Sequence, residues 1–270
     1  MKSVLWLIVL LGGGAVVWML SRTVLGNRSN GSSTHSDAGD ALGFSIRLER
    51  LTRRPSPSGS PVETSLMEVV PVDAKGESRE VSGIEISVNG VPLRYAVSSG
   101  NYYDRHPRFK PSPATESEVA PGMSYRFTVR RADGQEEPLA EVLTPQAVTI
   151  DQLTVPRTCS RGRDVEVRYK GIAQPMELCL FRTQTYLDER GNEVILSGSS
   201  NAPETIRKSI RGDGSLVIPA SFLEAKPGQR VLSIGLEWVA RTQGTVHPAG
   251  GKLTTIESVE TVEMGIEVSH

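Results

Sequence analysis

Few residues in this chain combine the types and spacings that chemistry needs. Asn101-Tyr102-Tyr103-Asp104-Arg105-His106 is its densest cluster of aromatic and charged side chains. Aromatics and arginine carry much of the binding energy at protein interfaces, so Tyr102, Tyr103, Arg105 and His106 form a candidate interaction loop. The competing expectation is a loop whose tyrosines pack on their own domain. The other histidines, His35, His247 and His270, have no second histidine or cysteine at metal-ligand spacing. No metal or cofactor is expected. Cys159 and Cys179 could pair in an oxidising compartment. Cys179 also lies in the strand-like run Met-Glu-Leu-Cys-Leu-Phe (176–181), where a small buried thiol is the alternative.

Catalytic signatures are missing. The chain holds no G-x-S-x-G, no H-E-x-x-H and no G-x-x-x-x-G-K-[ST] phosphate loop. No residue is assigned as catalytic. Adjacent acids such as Glu136-Glu137 read as solvated turn residues. A pair of glycosidase carboxylates distant in sequence would leave no signature, so a hydrolase acting on cell-surface polymers stays as an alternative. Arg211-Gly212-Asp213 matches an adhesive tripeptide, but Arg-Gly-Asp-Gly also makes a turn before Ser215-Leu-Val-Ile218.

The elements that would position these residues begin with an apolar run. Val4 to Leu20 (VLWLIVLLGGGAVVWML) holds no charge and follows Lys2 and Ser3. As a helix it would be about 26 Å long, at the short end for a bilayer core of about 30 Å. Trp6 and Trp18 sit near its ends, where indole favours the headgroup zone. A retained signal-anchor over residues 1–20 is the expectation. A cleaved signal peptide is the rival, which would make the chain a secreted adhesin. Flanking charges nearly balance, and only Met1 to Ser3 precede the run. The folded part is therefore expected to be extracytoplasmic, periplasmic or at the cell surface, with the membrane as one partner through Val4 to Leu20.

Residues 21–43 are rich in Ser, Gly, Asn and Asp and bury too little apolar surface to order themselves. They are expected to be a flexible linker spanning about 25–30 Å. With 30 basic and 31 acidic residues, the chain has no cationic excess for phosphate contacts, so no nucleic-acid partner is expected.

Beyond residue 43 the apolar period is two. Phe44-Ser-Ile46-Arg-Leu48 and Ile84-Glu-Ile86-Ser-Val88 alternate, which marks strands buried on one face. Asn89-Gly90 tolerates positive φ at both turn positions and predicts a tight hairpin into Val91–Tyr95. Pro121-Gly122 and Ala132-Asp133-Gly134 flank a further strand, Tyr125–Val129, and Leu139–Leu143 follows. Residues 98–120 are read as a long loop. In the second half, strands are expected at Val148–Val155, Asp164–Tyr169, Met176–Phe181, Val194–Leu196, Ser215–Ile218, Val231–Ala240 and Lys252–Val268, with one helical turn over Ser221–Ala225. Many short strands between Gly, Pro, Asn and Asp turns predict β-sandwiches.

Val119-Ala-Pro-Gly-Met-Ser-Tyr125-Arg-Phe-Thr-Val129, then Ala132-Asp-Gly134 and Glu141-Val-Leu-Thr-Pro145, resembles the closing strands of a fibronectin type III or related immunoglobulin-like domain. The likeness covers about residues 119–145. The early-strand tryptophan of that family is absent from the first domain, where Tyr95 and Tyr102-Tyr103 are the aromatics on offer. Together with the strand pattern and the apolar run, the resemblance gives the expected fold: an all-β chain of two immunoglobulin/fibronectin-like β-sandwich domains, over 44–145 and 146–270, after a single N-terminal transmembrane helix. The expected function is a membrane-tethered binding or envelope-scaffold protein, with a protein or an envelope polymer as partner.

Overall fold

The computed structural model describes residues 42–54, 59–97, 107–112, 119–198, 205–225 and 227–269. The apolar run Val4 to Leu20, nearly all of the expected linker and the Tyr102–His106 loop lie outside these residues. The chain is predominantly β, in mixed sheets. Its first half holds β1 (Gly43–Arg53), β2 (Val62–Val72), β3 (Glu85–Val88), β4 (Val91–Pro92), β5 (Arg94–Val97), β6 (Pro107–Lys110), β7 (Ser124–Arg130) and β8 (Glu136–Leu143). The second half holds β9 (Leu153–Thr154), β10 (Thr158–Ser160), β11 (Val165–Leu187), β12 (Glu193–Ser197), β13 (Ile206–Ile218), β14 (Gln229–Gln243), β15 (Thr245–Val246) and β16 (Thr255–Ser269). The helical turn expected after Pro219 is a short 3-10 helix, Ala220–Leu223. No helix among the described residues is long and apolar enough to cross a membrane.

Alternation determines which side chains reach the first core. Phe44, Ile46 and Leu48 on β1 and Tyr125, Phe127 and Val129 on β7 are all buried. A small sheet ordered β15-β8-β7-β3-β4 contributes to the same core as β1, β2 and β6 of the larger sheet. Each fully buried Phe or Leu there stabilises the fold by roughly 1.5–3 kcal/mol. The Asn89-Gly90 hairpin forms as expected, with φ of 48° and 80°. Asn89 Oδ1 accepts the Arg126 amide at 2.9 Å, which ties the turn to β7. The strand expected after this turn divides. Val91–Pro92 stays on the small sheet, and Arg94–Val97 pairs with β6 in the large one. Buried Leu93 lies at the switch.

The second core is drawn from residues 148–268 and centres on Trp238, Leu178, Leu180, Ile234 and Val262. Two strands expected at Asp164–Tyr169 and Met176–Phe181 are one 23-residue strand, β11. Its pairing with β13 shifts register between Tyr169 and Ile172 and again before Met176. Such bulges bend a strand and increase its twist. Gly171 and Gly212 supply φ of 67° and 71° at this irregularity.

The two cores share a sheet, ordered β12-β11-β14-β16-β1-β2-β6-β5. β1 and β16, the first and last strands, run parallel from Ser45/Thr255 to Arg53/Glu263. Ile256 on β16 belongs to the first core, while Val262, Met264, Ile266 and Val268 belong to the second.

Candidate functional site

One polar cluster occupies the seam between the cores. Successive strand residues point to opposite faces, so Ile256, Ser258, Glu260 and Val262 share one face of β16. Ser258 and Glu260 are 1 % and 2 % exposed, between apolar neighbours that belong to different cores. Arg50, opposite Glu260 on β1, donates from Nη1 to Glu260 Oε1 at 3.1 Å. Its Nη2 donates to Glu63 Oε2 at 3.0 Å. The backbone N–H of Val148, at the crossing from the first half to the second, donates to the Glu260 carboxylate.

Burial pushes the Glu260 carboxyl up to about 7, because an ionised carboxylate loses its hydration there. Arg50 and the Val148 amide pull the other way and do not offset it. Arg50 divides its charge between two acids, and the Glu63 carboxylate itself raises Glu260 further. The opposite face of the same strands carries more exposed pairs, Arg53 with Glu263 at 2.5 Å and Arg241 with Glu257 at 3.1 Å.

A second candidate is an open strand edge. β12 and β13 lie end to end along one side of β11, with Ser197 opposite Thr183 and Ile206 opposite Leu180. β12 is the terminal strand of the large sheet. Proteins commonly blunt such edges with lysine, proline or inward charge. β13 is guarded in this way by exposed Arg207, Lys208 and Arg211. β12, Glu193-Val-Ile-Leu-Ser197, has one charge at its start, and Ile195 and Leu196 are 49 % and 47 % exposed. Leu187, opposite Glu193, is 64 % exposed.

The cysteines are not bridged. Cys159 and Cys179 are both free and buried. Cys159 joins the second core from β10, whereas Cys179 alternates with core residues Leu178 and Leu180 and so points from the other face of β11. Burial raises both thiols, and Glu177 and Glu237 help push Cys179 up to about 11. Arg211-Gly212-Asp213 is not a turn before a strand but part of β13, and Asp213 Oδ1 accepts the Gly171 amide at 2.6 Å. Glu136 and Glu137 open β8, with Glu136 bound to Thr128 and Arg130. Among the described residues no group of His, Cys, Asp and Glu is arranged to hold a metal ion. Glu260 is the residue the sequence reading passed over. Its signal was a charge at the inward-facing phase of an alternation, Ile256 to Val268, that is apolar apart from Ser258.

No protein-family model matches the chain, and no curated protein does. Among solved structures it is similar to the yeast delta-COP-I mu-homology domain, at 10 % identity and a TM-score of 0.32, covering 86 % of this chain and 100 % of that one. The same yeast domain complexed with a Dsl1 WxWxV peptide gives 9 % identity and a TM-score of 0.30, over 85 % and 98 % of the two chains. Likeness at this level carries no functional argument. The expected placement, single-pass with extracytoplasmic domains, is corrected here. No helix among the described residues is long and apolar enough to cross a membrane, so the described chain gives that placement no support. The segment behind that expectation, Val4 to Leu20, lies outside the described residues.

Proposed function

We propose that this chain is a binding or scaffold module of two immunoglobulin-like β-sandwich units, which takes an extended segment of a partner protein as an added strand on β12. The sandwich reading is supported by two separate cores, each lined by inward-facing alternate residues. The binding reading is carried by the unguarded edge: apolar, five residues long and followed in line by basic β13. Strand addition draws affinity from main-chain hydrogen bonds and specificity from alternate side chains. The partner segment is apolar at alternate positions against Ile195 or Leu196, with acidic residues facing Lys208 and Arg211.

The hydrolase alternative needs two accessible, facing acids. Glu63 and Glu260 share Arg50, but Glu260 is too deeply buried to meet a polymer.

A displayed library of random extended peptides, selected on the purified chain, tests the proposal. Selected peptides are expected to bind about tenfold or more weakly to Ile195→Lys and Leu196→Lys, since a lysine on an edge opposes strand addition. They are also expected to protect β12 amides from exchange. A library that yields no binder, or binders indifferent to both changes, overturns the proposal.

A further inference from the structure

The seam is built from few parts. Glu260 is enclosed between two cores, held by one shared guanidinium and one amide of the inter-unit crossing. Of the groups around it, Glu63 and Arg54 carry the remaining charges. Across β14 it meets Ala240, with Thr242 one row away opposite Ser258. On β1, Leu48 and Thr52 flank Arg50, and Arg54 follows beyond them on the same face. β2 brings Ser65 opposite Arg50, and Glu63. From the small sheet, the acids of β8 turn elsewhere: Glu136 to Arg130, Glu137 to Arg131 and Glu141 to Arg126. Within this surround Arg50 is the cation that balances Glu260, and Glu63 competes for it.

We propose that the Glu260–Arg50–Val148 seam is a proton-linked joint between the two units, closed when Glu260 carries a proton and prone to open when it is ionised. A neutral carboxyl leaves Arg50 to Glu63 and sits in the seam without a hydration debt. An ionised one is only partly compensated, and lifting of the Val148 crossing off β16 lets water reach it while the β1–β16 ladder stays paired. Proton affinity is therefore higher in the closed seam than in the open one, and by linkage opening is favoured as pH rises. The closed-seam carboxyl titrates at about 7, so the change falls in the neutral range. The crossing is seated in mild acid and loosened in mild alkali.

Amide exchange on the full chain tests this directly. Rates at Val148 are read from about pH 5 to about pH 8.5 and corrected for intrinsic exchange. The opening equilibrium there should rise with pH by up to about tenfold per unit until it levels off above about 7. Phe127 and Leu178, deep in the two cores, should exchange far more slowly than Val148 throughout. In Glu260→Gln, the Val148 profile should be flat. Difference infrared spectra should show a protonated carboxyl in the wild type at pH 6 that Glu260→Gln lacks. The infrared and wild-type exchange data decide the matter even if that variant does not fold. A pH-independent Val148 amide, one that exchanges only in step with Phe127 and Leu178, or a Glu260 already ionised at about pH 5 overturns the proposal.

Discussion

The two cores close in different ways. The first is made by two sheets, and almost all its side chains come from residues 44–142. Yet β1 would be a sheet edge without β16, and Ile256 of β16 fills part of that core. The second core takes all its strands from residues after 148, through the antiparallel run β11-β14-β16. Dependence therefore runs one way: the first core leans on a strand that the second has already placed. Residues contiguous in sequence need not be independent in stability.

Paired truncations test this asymmetry with the largest expected effects. Trp238→Ala should cost about 3–5 kcal/mol and bring down both cores, because it loosens the strands that hold β16. Phe127→Ala should cost a similar ~3–5 kcal/mol but leave the second core folded. Urea unfolding, followed by amide exchange at Leu178 and Ile234 for the second core and in β7 for the first, separates the two. Symmetric loss from both variants would break the comparison.

Arg50→Met probes the junction itself. It leaves Glu260 buried without a cation, a change expected to cost about 3 kcal/mol at pH 8. The cost should shrink at pH 5, where Glu260 is protonated. Urea midpoints at the two pH values check this.

The wild-type stability profile comes next. Glu260 titrates near 7 when folded against 4.5 for an ordinary glutamate, so the native state binds the extra proton. Its contribution is fully present below about pH 4.5 and is lost as pH rises through about 7, by at most ~3.5 kcal/mol. Glu260→Gln should remove that slope, as read from urea unfolding across the range. Asp73, Glu136, Glu166 and Asp188 are lowered in pKa by the hydrogen bonds they accept and tilt the profile the opposite way at acid pH.

The smallest effect belongs to the second core's bend. Asp213→Ala removes the acceptor for the Gly171 amide and should cost roughly 1 kcal/mol, measured by thermal unfolding. A much larger loss would mean that the bulge holds the core together rather than merely shaping β11.

Local features of this architecture were legible in advance. The alternation in β1 and β7, the Asn89-Gly90 turn and the short 3-10 segment after Pro219 each follow from a few neighbouring residues. Features that depend on distant partners were not. Asp164–Tyr169 and Met176–Phe181 read as two strands because Gly171 and Pro175 punctuate them, but pairing with β13 carries the ladder across. Val91–Tyr95 reads as one strand, and only the arrangement of two sheets shows why it divides at Leu93. The thiols show the same limit: spacing left their pairing open, and the face of β11 on which Cys179 lies keeps it from Cys159. Glu260 was visible as a misplaced charge, but its partner Arg50 is 210 residues away.

The sequence by itself determined that this chain folds as alternating strands and which side chains of each strand turn inward, because a period of two is a property of adjacent residues. The tertiary structure alone decided which edges meet. The parallel pairing of the first and last strands brings Arg50 to Glu260, and enclosure between two cores raises that carboxyl to about 7. Desolvation and charge act through space, so a residue's proton affinity is set by neighbours that the chain order does not name.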